Sequence, residues 1–226
     1  MPHSGINVLF EGHNLVRLLG GLWTTVWIAA LALVIGLSLG ALLGALRTLK
    51  NPVLRLGLRL YLEFFRIVPT VVLLFLAYYL VPELFHVDSL PGSWMAVIAF
   101  GLWVAAEFSD IVRGALLSVP VHQRESGLAL GMNRWQLFRY VLLPQALKLE
   151  LPATINLATR VIKTTSLLML ISVMDVINIG QQIIEANNTT YRTGAFWVYG
   201  VIFIFYFVVD YPLSRWAQRL AAQKKV

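Results

Sequence analysis

The chain has no cysteine, which excludes disulfides and thiolate metal sites. Charge is scarce as well: Asp, Glu, Lys and Arg make up 13% of 226 residues, against about 25% in a soluble domain. The histidines, His3, His13, His86 and His122, fall at no metal-ligand spacing, so no metal site is expected. No GxxxxGK[ST] segment occurs, so the phosphate-cradling loop of a nucleotide-hydrolysing chain is missing. No nucleophile–base pair stands out, and no catalytic residue is assigned. The first twenty residues lack a basic cluster followed by a small-residue cleavage site, so they do not read as a secretory signal. An internal repeat is also missing.

What is abundant is apolar surface. Apolar residues reach 58% and the mean hydropathy is +0.74, too oily for a soluble domain. A bilayer crossing needs about 20 mostly apolar residues. Five stretches qualify, at about 22–46, 62–80, 94–112, 151–173 and 196–213. The expected fold is therefore an all-α integral membrane protein of about five transmembrane helices. The first stretch carries Gly36, Gly40 and Gly44 on one helical face, a small-xxx-small pattern suited to close helix packing in lipid.

The net charge of +7 sits in alternate connections. Arg47, Lys50, Arg55 and Arg59 follow the first stretch, whereas Glu83 and Asp88 follow the second. Arg113, Arg124, Arg134, Arg139 and Lys148 follow the third, and Arg215, Arg219, Lys224 and Lys225 end the chain. Basic connections mark the cytoplasmic side, so the N-terminus is expected outside and the C-terminus inside. This alternation explains the positive charge by membrane orientation, with no nucleic acid as partner. The domain division is then 1–20 outside, 21–216 in the membrane domain and 217–226 as a basic cytoplasmic tail.

Residues 120–146, between stretches three and four, carry more local specification than a linker needs. Pro120 suits a first helical turn, and Gly131 supplies the left-handed residue that ends a helix running to about Leu130. Asn133 and Gln136 have capping-box spacing for a second helix, with Trp135, Phe138 and Leu142 on one face and Pro144 as its stop. An amphipathic linker lying on lipid is the alternative reading.

Glu125, Ser126, Gly127, Ala129 and Gly131, followed by Val141-Leu142-Leu143-Pro144, resemble the EAA motif of permease subunits of ATP-binding-cassette importers. Ser126 and Gly127 stand where that motif has alanines. Gly21-Leu22-Trp23-Thr24-Thr25, Glu63-Phe64-Phe65-Arg66 with Pro69, Asp110-Ile111-Val112-Arg113-Gly114, Ser118-Val119-Pro120 with Gln123, and Lys163-Thr164-Thr165-Ser166-Leu167 are similar to patterns of the polar amino acid permeases. Ile67, Val68 and His122 depart from them.

The resemblance implies a type I importer permease of a bacterial inner membrane that hydrolyses nothing. The helix from Glu125 to Gly131, flanked by Arg124, Met132 and Arg134, would dock into a cytoplasmic ATPase subunit, and that partner would bind ATP and Mg. A second permease subunit, identical or similar, an extracytoplasmic amino-acid-binding protein and membrane lipids complete the implied partners; the chain itself is expected to hold no cofactor.

Ionisable groups at membrane depth usually face a bundle interior or a wet cavity and have a partner. Glu107 and Asp110 share one helical face, as do Arg160 and Lys163. With Thr164 and Ser166 they are the substrate-path candidates; a carboxylate–basic cross-link between spans is the competing reading. Glu63 and Arg66 have the spacing of an intrahelical pair; contact of Arg66 with the docking loop or with a lipid phosphate is the alternative. Asp175 and the amides at Gln181, Gln182, Asn187 and Asn188 suggest an external re-entrant or gate segment. Two other function classes stay open on the residues: an intramembrane lipid-modifying enzyme using Glu107 and Asp110 as acid and base, and a structural membrane subunit that transports nothing.

Overall fold

Apolar stretches this long can satisfy their backbone groups in lipid only as helices or closed barrels, and the regular structure is helical throughout the described residues. The computed structural model describes residues 5–49, 51–86 and 90–222; His3, Lys50, Asp88, Lys224 and Lys225 lie outside the described residues. After a short 3₁₀ turn at Gly5–Leu9 come α1 (Asn14–Leu46), α2 (Pro52–Ile67) and α3 (Thr70–Phe85). Then follow α4 (Gly92–Ser118), α5 (Val121–Ala129), α6 (Arg134–Ile171), α7 (Val176–Asn187) and α8 (Gly194–Ala222). Helices α1, α4 and α8 are long and apolar enough to cross a membrane, and two bent pairs, α2–α3 and α6–α7, give up to five if each pair supplies one crossing.

The glycine stripe of α1 lies directly on α4. Gly36 backs onto Val104 and the Gly101 carbonyl, Gly40 onto Phe108 and the Ala105 carbonyl, and Gly44 onto Val112 and the Ser109 carbonyl. A Cβ at Gly40 would sit 2.8 Å from that carbonyl oxygen, so only hydrogen fits without a shift. Residue numbers rise together on both helices, so α1 and α4 run parallel. The chain between them must therefore return across the membrane once.

Helix α3 makes that return, at roughly 24 Å by the helical rise. The expected stretch 62–80 is not one helix. Pro69 cannot donate a backbone hydrogen bond and holds Val68 extended at ψ 125°, so α2 and α3 meet at 105°. Residues 62–67 belong to α2, which Asn51 caps by accepting from the Val53 and Leu54 amides. Helix α2 buries Leu62 but exposes Arg55, Arg59 and Arg66 as well as Leu56 and Leu60, and at this angle it lies across the end of the bundle.

Pro144, expected as a stop, does not end a helix: α6 continues through it to Ile171. A π turn at Leu137–Leu142 widens the backbone just ahead of the proline, moving aside the carbonyls its ring would meet. The same device, a π turn at Leu76–Leu80, precedes Pro82 in α3. Stretch 151–173 is thus the far part of a longer helix, which tightens to 3₁₀ over Thr165–Ile171 and ends at left-handed Ser172 (φ 58°).

The buried Asp175 carboxylate then accepts from the Ile177 and Asn178 amides and starts α7. Helix α7 leans on the N-terminal part of α1, where Gly21 touches the Val176 backbone and Arg17 donates to Gln182 at 2.7 Å. The segment read as an external re-entrant or gate segment is helix α7, which follows α6 across a 49° bend. Helix α8 returns along α6 and α7, Ile202 filling the space above Gly180. Helix α1 begins at Asn14 and α8 runs to Ala222, so both helices extend beyond residues 21–216.

Gly40→Ala places a methyl group against backbone and is expected to lower the melting temperature in detergent by roughly 2–12 °C, the equivalent of about 1–3 kcal/mol of overpacking. Gly114→Ala, in a helix with nothing within 4 Å of the new Cβ, is expected to be neutral or slightly stabilising. Equal melting shifts for the two variants would refute the close-packing argument.

Candidate substrate cavity and coupling surface

Close packing of α1 on α4 fixes where the first charged groups meet. One turn beyond Gly44, Arg47 donates to Asp110 on α4 at 3.1 Å and approaches the Ser109 hydroxyl at 3.4 Å. Arg66, at the C-terminal end of α2, reaches the other carboxylate oxygen at 3.7 Å. Asp110 is thus shared by two arginines from different helices. The intrahelical Glu63–Arg66 pair expected from spacing does not form; the bend after Ile67 carries Arg66 toward α4 instead.

One turn from Asp110, Glu107 accepts from Arg160 on α6 at 2.7 Å, and the Arg160 guanidinium lies 5.6 Å from the Trp103 ring centroid. Arg66, Glu107, Asp110, Asn156 and Arg160 line one open cavity of about 430 Å³, floored by Ile111, Ala153 and Leu157. This volume suits a small polar molecule. Two carboxylates and two guanidiniums face it, enough to meet both ends of a zwitterion. The Arg160 side chain is 51% exposed, so its ion pair competes with water and contributes on the order of 1 kcal/mol or less.

The structure brings Glu107, Asp110 and Arg160 together and leaves the other path candidates outside that lining. Lys163, three residues after Arg160, is exposed and is the charged neighbour acting on Asp210 of α8. The Thr164 hydroxyl donates to the Arg160 carbonyl at 2.9 Å, which spends it on its own helix. Ser166 is half-buried in the 3₁₀ segment. Sequence reasoning missed Asn156, which carries no charge to mark it. It also missed Asp210, although a lone carboxylate in an aromatic-rich span is such a mark. One Asp210 oxygen and the nearby Tyr206 hydroxyl, beside Thr25 and Thr165, are buried without a well-formed hydrogen bond among the described residues.

Outside the bundle, α5 begins at Val121 with Pro120 just before it, one position earlier than a first-turn proline. It ends in a Schellman motif: the Met132 amide donates to the Gly127 carbonyl, the Gly131 amide to that of Leu128, and Gly131 takes φ 78°. Both halves of the Asn133–Gln136 capping box form, each at 2.9 Å. Gly127 packs on buried Leu137, and a Cβ there would meet the Leu137 Cδ1 at 2.6 Å. Arg124 donates to the Leu116 carbonyl at 2.9 Å, and Gln145 donates to Gln123 at 3.2 Å, tying α5 to α4 and α6. Glu125, Ser126, Leu128, Ala129 and Gly131 stay exposed, with Arg134, Trp135 and Tyr140 beside them. An exposed apolar and acidic face braced from behind by two spans is built for contact.

The family of binding-protein-dependent transport system inner membrane components matches residues 18–223. The chain belongs to this family. It is 34% identical over 209 residues to the glutamine transport system permease protein GlnP of Escherichia coli (strain K12), covering 92% of this chain and 93% of that one. It is 35% identical over 194 residues to the probable amino-acid permease protein YxeN of Bacillus subtilis (strain 168), covering 84% and 87%. A solved amino acid ABC transporter with histidines superposes with a TM-score of 0.80 at 26% identity, covering 92% of this chain and 94% of that one. The chain is thus a multi-pass membrane permease component.

A double-mutant cycle on Glu107→Gln and Arg160→Gln, read by unfolding in detergent, is expected to give a coupling energy of at most about 1 kcal/mol. A coupling of 3 kcal/mol or more would make the pair a rigid structural cross-link rather than an exchangeable one.

Proposed function

We propose that the chain is the permease subunit of an importer that carries a polar or charged amino acid into the cytoplasm by alternating access. The observation that carries this reading is the single cavity in which Glu107 and Asp110 face Arg160 and Arg66. The substrate ammonium would displace Arg160 from Glu107, and the substrate carboxylate would take over the freed guanidinium. Because the resident ion pair is weak and wet, exchanging it for substrate costs little. That is what a transport site needs, since tight binding in both states would stop release.

The same reading makes α5 the helix that docks a separate ATPase subunit, with Glu125 and Gly131 at its contact face. ATP and Mg belong to that partner. Helix α5 is fastened to α4 and α6 by Arg124, Gln145 and the Gly127–Leu137 contact, so displacing it moves two spans as rigid bodies. Arg47, Arg55, Arg59 and Arg113 lie at the end of the bundle where α1 and α4 finish together, which supports that end as cytoplasmic and the N-terminus as external. A second permease and an extracytoplasmic binding protein complete the assembly. The relatives named as glutamine and amino-acid permeases support the substrate class.

Uptake competition across acidic, basic and neutral amino acids is expected to shift when Arg160 is replaced by alanine, with the affinity for acidic substrates falling about tenfold or more. Unchanged selectivity would return Arg160 to a packing role. Glu125→Ala and Gly131→Val are expected to weaken co-purification of the ATPase while leaving the melting temperature of the permease nearly unchanged for Glu125→Ala. Intact ATPase binding and uptake in both variants would sink the coupling assignment.

A further inference from the structure

A second cavity, of about 490 Å³, lies beside the first and shares Arg66 and Asp110 with it. Five arginines line it, Arg47, Arg55, Arg59, Arg66 and Arg113, against only two carboxylates, Glu63 and Asp110. Asp110 is already taken by Arg47 and Arg66. Arg55, Arg59 and Arg113 have no ion-pair partner among the described residues. Like charges gathered this way repel one another unless an anion joins them.

We infer that this cavity binds the phosphate headgroup of an anionic phospholipid. Geometry selects a lipid over a free anion. Helix α2 stands at 105° to α3, so with α3 as the crossing helix α2 runs along the membrane boundary. Arg55 and Arg59 are one turn apart on α2. The adjoining stripe is apolar and open, with Val53 79% exposed, Leu56 59%, Leu60 63% and Ile67 74%. A phosphate on the arginines therefore leaves its acyl chains lying along that stripe, and a soluble anion would leave the stripe bare. A helix with a basic face beside a leucine face at an interface is the form that holds anionic lipid. Because Arg66 and Asp110 belong to both cavities, a bound headgroup sits one side chain away from the substrate cavity. The inference rests on α2 lying at the membrane boundary, and transport itself is not needed to test it.

The test uses the full chain purified with its associated subunits, and native mass spectrometry to count retained lipid. Dioleoylphosphatidylglycerol is expected to be retained over dioleoylphosphatidylcholine. Replacing Arg55, Arg59 and Arg113 together by glutamine should weaken retention by roughly fivefold per arginine removed. The matching Arg→Lys triple variant should keep most of it, and both should melt like the parent. Inorganic phosphate at millimolar concentration should fail to displace the lipid. Equal retention of the two lipids, or full retention in the glutamine variant, would overturn the inference. Displacement by inorganic phosphate would reassign the cavity to a soluble anion. Loss of paired permeases without loss of bound lipid would reassign the apolar stripe to a second copy of the chain.

Discussion

The contact on which the rest depends is the backbone-to-backbone approach of α1 and α4 at Gly36, Gly40 and Gly44. Between membrane helices there is no hydrophobic driving force, since lipid is as apolar as leucine, so association rests on shape and dispersion. Hydrogen in place of a side chain lets the carbonyls of Gly101, Ala105 and Ser109 be the surface that α1 touches. This contact sets the two helices parallel and in one register. Parallel spans oblige α3 to return between them, and the register delivers Arg47 to Asp110. Topology and electrostatics here descend from one stripe of small residues.

Proline is used in two opposite ways in this fold. At Pro69 the helix is given up, and the resulting bend sets α2 crosswise and turns Arg66 toward Asp110. At Pro144 the helix is kept, because a π turn ahead of it absorbs the steric conflict. Continuity at Pro144 has a mechanical consequence. Helix α6 runs from Arg134 through Pro144 and Pro152 to the cavity at Asn156 and Arg160, so under the proposed docking of α5 a displacement there would reach the charged groups along one continuous helix. Loops would dissipate such a displacement.

Much of this was legible in the chain. The existence of five apolar stretches, the left-handed Gly131 and the Asn133–Gln136 box are local matters, decided by composition and by spacing within a few residues. The bend at Pro69 and the passage through Pro144 were not legible. The same residue type stops one helix and not another according to the backbone geometry around it. Pairing by spacing also misled at Glu63 and Arg66, because a neighbour three residues away loses to an acid presented by another helix. Arg160 and Lys163, read as one face, serve different neighbours: the first meets Glu107 and the second acts on Asp210.

The sequence by itself determined that this chain lives in a membrane, which stretches are apolar enough to cross it and where charge is allowed to stand. Those follow from the cost of leaving backbone or charge unsatisfied in hydrocarbon, a cost paid residue by residue. Only the tertiary structure decided which charges share a cavity, that Asp110 answers to two arginines, and that Arg55, Arg59 and Arg113 face a common space without acids of their own. The reason is that these groupings join residues far apart in the chain, from different helices. Their meeting depends on helix register and crossing angle, which no local pattern encodes.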